Sequence, residues 1–402
     1  MSDPRSFAAL RQPRFRAYFL GASLAMMADS IEHVISYWII FQKFQSPALG
    51  GFAVLSHWLP FLLFSVYSGA LADRYDPRRM IQIGMGVFMA VSLGWGLLFI
   101  TDTLEMWHAM ALLLLHGFAG VLWSPAQQLL IHEIVDDAQL PSAVRLMATS
   151  RWLGLLMGPA VGGVILLAFG PTWGIFLNVL IYLPMVLWVQ TMPYRHKPAP
   201  PRLRGLADMV ATGREISGSR ILVSMILLAG GTSLLVGNAY QAQMPEFAHD
   251  LGHSHADLSY SMLLGADAAG ALVAGLALES RGLLPPKARS AFILAMLWCA
   301  VVGAFAAVTS YPLALALLFI AGFLELSFNA MAQTLVQLNA PAAIRGRVIG
   351  LYAMSSLGMR TFSGITVGLG GSLVGIHWSL AISAGALLFL LIIGLLFATR
   401  SR

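Results

Sequence analysis

The chain has 402 residues and a formal net charge of +6, yet only 10% of its residues are Asp, Glu, Lys or Arg, whereas 58% are apolar. Soluble domains carry about 25% charged residues, so the charge needed to coat a globule of this size in water is missing, which excludes a soluble enzyme, a disordered tail and a nucleic-acid binder. The lone cysteine, Cys299, excludes an intramolecular disulfide, a Cys-rich zinc site and an iron–sulfur cluster within one chain.

A helix of about 20 apolar residues crosses a hydrocarbon core of about 30 Å. Such stretches recur at 17–42, 51–72, 80–100, 107–131, 147–169, 172–190, 221–245, 258–279, 290–309, 311–336, 348–374 and 378–398. They predict an all-α integral membrane protein of twelve spans. Arg5, Arg11, Arg14 and Arg16 precede a first span too long, and too rich in ionisable residues, for a cleavable signal.

The first span carries Asp29, Glu32, His33 and Ser36 within about 100° of one helix face, flanked by Tyr37. Ionisable residues inside a span cost several kcal/mol unless they face a cavity or a partner, so this stripe predicts a wet pathway. Asp29 and His33, four apart, also have the spacing of a two-ligand metal site, although no second acid–histidine pair within a span joins them.

The second span ends in the turn Gly69-Ala70-Leu71-Ala72-Asp73-Arg74-Tyr75-Asp76-Pro77-Arg78-Arg79. Its glycine permits close helix approach, and Asp73 is placed to meet a helix N-terminus or an arginine from elsewhere, a contact worth about 0.3–2 kcal/mol that latches one of two states. Trp123, Gln127 and Gln128 put polar and aromatic surface on the fourth span. In the fifth, Gly154, Gly158, Pro159, Gly162 and Gly163 make a smooth, kinkable face for tight packing.

Residues 191–220 form the one long connection, where prolines excluding a continuous helix stand beside Arg195, Lys197, Arg202 and Arg204. Leu206, Met209, Val210 and Ile216 share a face, predicting a short helix on the inner leaflet. This linker separates a bundle at 1–190 from one at 221–402. In the seventh span Asn238 and Gln241 share a face, and in the tenth Glu325, Asn329 and Gln333 form a polar stripe. Glu246, His249, Asp250, His253, His255 and Asp257 read as a solvated loop before the eighth span.

Cations alternate along the chain: Arg74, Arg78 and Arg79, then Arg145, then Arg281, Lys287 and Arg289, then Arg345 and Arg347, with Lys43 alone on the opposite side. Lys and Arg are retained in the cytoplasm, so both termini are expected there. A constant offset of 206 residues carries Gly69 and Asp73 onto Gly275 and Glu279, Ala126-Gln127 onto Ala332-Gln333, and Gly158 and Gly162 onto Gly364 and Gly368. Two parallel six-span bundles related by an axis along the membrane normal bracket a midplane cavity used for alternating access.

The turn at 69–79 resembles the signature loop of the major facilitator superfamily, and the twelve spans with their basic linker resemble that superfamily along essentially the whole chain. The glycine–proline run at 154–163 is similar to the motif of its drug–proton antiporters, and Ile344–Tyr352 resembles the loop before the eleventh helix in the branch that includes enterobactin-type siderophore exporters and macrolide exporters. One departure is Leu113 before Gly117, where many members carry an arginine; His116 is adjacent but on another helical face.

The resemblance implies a proton-coupled exporter in a bacterial inner membrane, without enzymatic activity or cofactor, acting as a monomer on a small amphipathic molecule. A siderophore is the favoured substrate class, with multidrug efflux and divalent-metal export through Asp29 and His33 as alternatives. Glu32 and Glu325, or Asp29, are the expected proton carriers. His33, Ser36, Tyr37, Trp123, Gln127, Asn238, Gln241, Asn329 and Gln333 are expected around the cavity, and Gly69, Asp73, Arg74, Arg78, Arg79, Glu279, Arg345 and Arg347 in the latch. No hydrolase elbow, phosphate-cradling loop or complete metal triad is legible.

Overall fold

The computed structural model describes residues 7–44, 47–193, 206–237, 239–242, 244–252, 258–280, 285–363 and 370–399. Among these residues every regular element is a helix and none is a strand. Lipid offers backbone N–H and C=O groups no partner, and a helix satisfies them within one segment.

The first half contains α1 (Pro13–Phe44), α2 (Pro47–Arg74), α3 (Pro77–Ile100), α4 (Met106–Ile134) and α5 (Leu140–Thr191), followed by the short α6 (Leu206–Ile216). Asp76 starts α3: its side chain accepts from the Arg78 amide at 2.9 Å, and Pro77 occupies the first helical position, where no N–H is needed. The predicted fifth and sixth spans are two helices joined directly within α5, where Gly170 breaks the helix with φ 72° and ψ 173°. A side chain at that position would be strained, so one glycine does the work of a loop.

The second half contains α7 (Arg220–Leu235), α8 (Ala239–Ala242), α9 (Met244–Asp250), α10 (Leu258–Ser280), α11 (Ala288–Ala306), α12 (Tyr311–Asn339), α13 (Arg345–Ala353), α14 (Arg360–Ser363), α15 (Gly370–Val374) and α16 (Ile376–Thr399). Two predicted spans are interrupted here. The seventh breaks after α7, where Gly237 has φ 49°. Between α13 and α14 the chain takes a π turn at Met354–Gly358, in which the Met359 amide reaches back to the Met354 carbonyl at 3.1 Å. Among the described residues nine segments are long and apolar enough to cross a membrane.

Apolar burial divides along the chain. One core runs from Ile216 to Leu391 and holds Trp298, Phe292, Phe305 and Phe328; two others, holding Phe15, Phe88 and Trp95, lie between Ala9 and Met192. Smaller clusters bridge the two: Ala271, Ala274 and Leu278 of α10 pack with Ala148 and Trp152 of α5, and Leu357 packs with Phe61 and Val121. The seam therefore runs where α2 meets α13 and the π turn, and where α5 meets α10 and α12.

Candidate functional site

A cavity lies on this seam. The stripe on α12 faces it with Glu325, Asn329 and Gln333, and α4 faces it with Gln127 and Gln128. Arg151 of α5 and Arg360 of α14 also line it, so the cavity holds two guanidiniums and one carboxylate. Its volume of about 160 Å³ is below the ~300–1,000 Å³ typical of drug-sized ligand pockets.

Arg360 is held by both halves. Its Nε donates to the Ser356 carbonyl at 3.2 Å, and its guanidinium lies 5.1 Å from the ring centroid of Trp58 on α2. The charges of Arg360 and Arg151 both act on Glu325. Behind Glu325 stands a second buried acid, Asp267 of α10. Tyr240 connects them, its hydroxyl 3.3 Å from Glu325 Oε2 and 3.4 Å from Asp267 Oδ1, and Gln241 donates to Asp267 Oδ2 at 2.8 Å.

A separate polar group fills the first half. His116 of α4 stands between two acids of α1, with Nε2 2.8 Å from Asp29 Oδ1 and Nδ1 2.7 Å from Glu32 Oε1. Ser92 of α3 donates to the other Glu32 oxygen, and Asn178 of α5 donates to Ser92. His33 and His57 close the group, their rings 4.6 Å and 5.7 Å from that of His116.

At one end the seam is fastened twice. Asp73 of α2 accepts from the backbone N–H groups of Gly346 at 2.5 Å and Arg347 at 2.9 Å, and Arg347 Nε lies 3.8 Å away. The acid of one half thus caps the N-terminus of α13 in the other, where the helix dipole favours a negative charge. Its counterpart Glu279 of α10 receives Arg145, with Nε and a terminal guanidinium nitrogen each at 2.8 Å, and also accepts from Ser142. Glycine is required beside the first latch, since a Cβ on Gly69 would run into the Gly346 carbonyl.

Several expectations change. Glu32 does not face the seam: it is turned into the first half by Ser92 and His116, and among the predicted acids Glu325 is the one that lines the cavity. Ser36 donates back to the Glu32 carbonyl at 2.7 Å, and Tyr37 stands edge-on to His33 at 5.0 Å. Trp123 is core, buried and edge-on to Phe88, because its α4 face turns toward α3. Gln241 belongs to Asp267, and Asn238 lies outside the described residues.

In the latch, Arg78 is engaged within its own half, with Asp76 and the Met192 carbonyl; Arg74 lies over Tyr75, and Arg79 is exposed. Arg345 stands within electrostatic reach of Asp73. The Gly154, Gly158 and Gly162 face packs against Met26, Ser30 and Ile31 of α1, Gly163 meets open space, and the Pro159 side chain lies outside the description. Sequence reasoning missed Arg151, Arg360, Asp267, His57 and the role of His116. All five are ionisable residues inside predicted spans, the signal that singled out Glu32.

A model of the transmembrane secretion effector family matches residues 4–402. The chain belongs to that family. It is a major facilitator transporter, not an enzyme, and a multi-pass protein of the bacterial inner membrane. It is 26% identical over 389 residues to the enterobactin exporter EntS of Shigella boydii serotype 4, covering 96% of this chain and 91% of that one. In fold it is similar to the human organic anion transporter MFSD10, with TM-score 0.76, 14% identity and coverage of 95% and 99%. The fucose:proton symporter FucP of Escherichia coli gives TM-score 0.73 at 12% identity, covering 99% and 100%.

Proposed function

We propose that the protein is a proton-coupled exporter of a siderophore-class molecule, an amphipathic ligand rich in hydroxyl and carbonyl oxygens. The supporting observation is the pair of arginines that share the cavity with Glu325, Arg151 from across the seam and Arg360 from the same half. A cavity for varied lipophilic cations has little use for two guanidiniums, whereas hydroxyl and carbonyl oxygens accept from both. The similarity to an enterobactin exporter points the same way.

The mechanism follows from donor and acceptor roles. Ionised Glu325 accepts a hydroxyl of the ligand while Arg151 and Arg360 donate to its oxygens. A proton arriving on Glu325 removes its negative charge and turns one of its oxygens into a donor, which weakens its hold on the ligand hydroxyl, so proton and ligand compete for one site, which is the condition for antiport. Tyr240 and Asp267 provide the next stop for the proton behind Glu325. With the basic turns and both termini in the cytoplasm, the Asp73 and Glu279 latches close the cytoplasmic end; their release admits ligand from inside, and the cavity lies within one chain.

The test is transport by the reconstituted protein in vesicles with an imposed pH gradient. A catechol-type siderophore should drive proton movement, and Glu325→Gln should abolish that movement. Proton movement driven by cationic dyes and not by the siderophore would refute the assignment in favour of multidrug efflux.

A further inference from the structure

We infer that His33, His57 and His116 form a binding site for one divalent transition-metal ion of the zinc or cobalt kind, inside the first half and apart from the ligand cavity. Three helices, α1, α2 and α4, each deliver one imidazole, and the ligand atoms all lie within 4.8 Å of one another. Zinc–nitrogen bonds of about 2.0–2.1 Å in a tetrahedron put nitrogens about 3.3 Å apart, so small side-chain adjustments close the set.

Each imidazole has a nitrogen to offer. His33 Nδ1 lies 2.8 Å from the Asp29 carbonyl, which can only accept, so Nδ1 carries the hydrogen and Nε2 keeps its lone pair. His57 Nδ1 is buried without a hydrogen-bond partner. His116 is oriented by Glu32 at Nδ1, the carboxylate–histidine arrangement that supports a metal ligand from behind. Its Nε2 now shares a hydrogen with Asp29 Oδ1; an incoming dication displaces that proton to solvent, takes the Nε2 lone pair, and leaves the Asp29 carboxylate free to turn and become the fourth ligand.

The charge also fits. A dication beside ionised Asp29 and Glu32 leaves a neutral cluster, which a site within a membrane span requires. Imidazole nitrogens with one carboxylate suit zinc and cobalt better than calcium or magnesium, which demand oxygen cages. None of the three histidines lines the cavity.

The experiment is titration of the purified full-length protein in detergent, free of any affinity tag, with Co²⁺ and, by calorimetry, with Zn²⁺. One ion per chain and the visible absorption of four-coordinate cobalt are expected. His33→Ala and His57→Ala should each weaken binding by at least about 10-fold, the smaller loss seen when only an outer partner of a ligand is removed. His57→Gln repeats the test should the alanine variant unfold, with folding followed by thermal melting without metal. His249→Ala, on the exposed surface, should change nothing. Absence of four-coordinate absorption, equal affinity in the His33→Ala His57→Ala double variant, or loss of the signal in His249→Ala would each overturn the site. No substrate enters this experiment, so its failure leaves the export assignment untouched, and failed transport leaves the metal site standing.

Discussion

Replacing Asp73 by asparagine keeps the shape of the latch and removes its charge. Two backbone N–H groups, from Gly346 and Arg347, point at the carboxylate, and Arg347 Nε lies 3.8 Å from it. An asparagine oxygen accepts from one amide while its NH2 faces the other donor. Loss of a charge at a helix N-terminus costs about 0.3–2 kcal/mol, and hydrogen bonds to charged groups are worth about 1.5–3 kcal/mol. A net loss of about 2 kcal/mol from the closed state alone shifts the closed-to-open ratio about 30-fold. Double electron–electron resonance between labels at Arg79→Cys and Arg289→Cys, both exposed positions flanking the latch end, reads that ratio. Cys299 is buried and leaves the labelling clean. Asp73→Asn should enlarge the long-distance component, Glu279→Gln should do the same, and the double variant should exceed both. An unchanged distance distribution in Asp73→Asn would refute the latch.

Other outcomes follow from the same contacts. Gly350→Val should also favour the open state, because its Cβ would press on the Val66 Cα at 2.9 Å and on the Ser65 carbonyl, whereas Gly163→Ala, with nothing within 4 Å, should leave the distances as they are. Trp123→Phe should retain transport and melt no lower than the parent, since it deletes a buried indole N–H that has no partner; a large drop in ligand affinity would return Trp123 to the cavity. Lys43 holds the Asp102 carboxyl below its usual range by a hydrogen bond and by its charge. Any stability from that pair is present above the unfolded-state pKa and lost as pH falls through the lowered one. Asp102 is fully exposed, however, and water screens the pair. Lys43→Gln should therefore show the same difference in melting temperature between about pH 7 and about pH 4 as the parent.

Helicity and the latch acids were legible because each rests on local signals: apolar length, and an acid at a helix end repeated at a constant offset. Glu325, Asn329 and Gln333 could be placed on the cavity because one face of α12 carried them, and Gln127 because it stood in a polar stretch of α4. Three-dimensional partners were the illegible part. Nothing near Glu32 in the chain announces Ser92 or His116, which meet it from α3 and α4 and draw it away from the seam. Arg151 and Arg360 lie inside predicted spans far apart in the sequence, and only the folding of the chain brings them to one cavity. The bend at Gly170 was hidden for another reason: a single glycine with positive φ replaces the loop that two separate spans would need.

The π turn at Met354–Gly358 reaches further than its length suggests. By shifting the backbone ladder it presents the Ser356 carbonyl to side chains, and Ser233 Oγ at 2.7 Å and Arg360 Nε at 3.2 Å take it up. The aim of the cavity's cation is thus encoded in a surplus residue rather than in any polar neighbour chosen for it. Deleting one amino acid from 354–358 would restore ordinary α geometry and leave Arg360 in phase, because the widened turn has absorbed the extra residue, but it would return the Ser356 carbonyl to the helix ladder and release Arg360 and Ser233 from it.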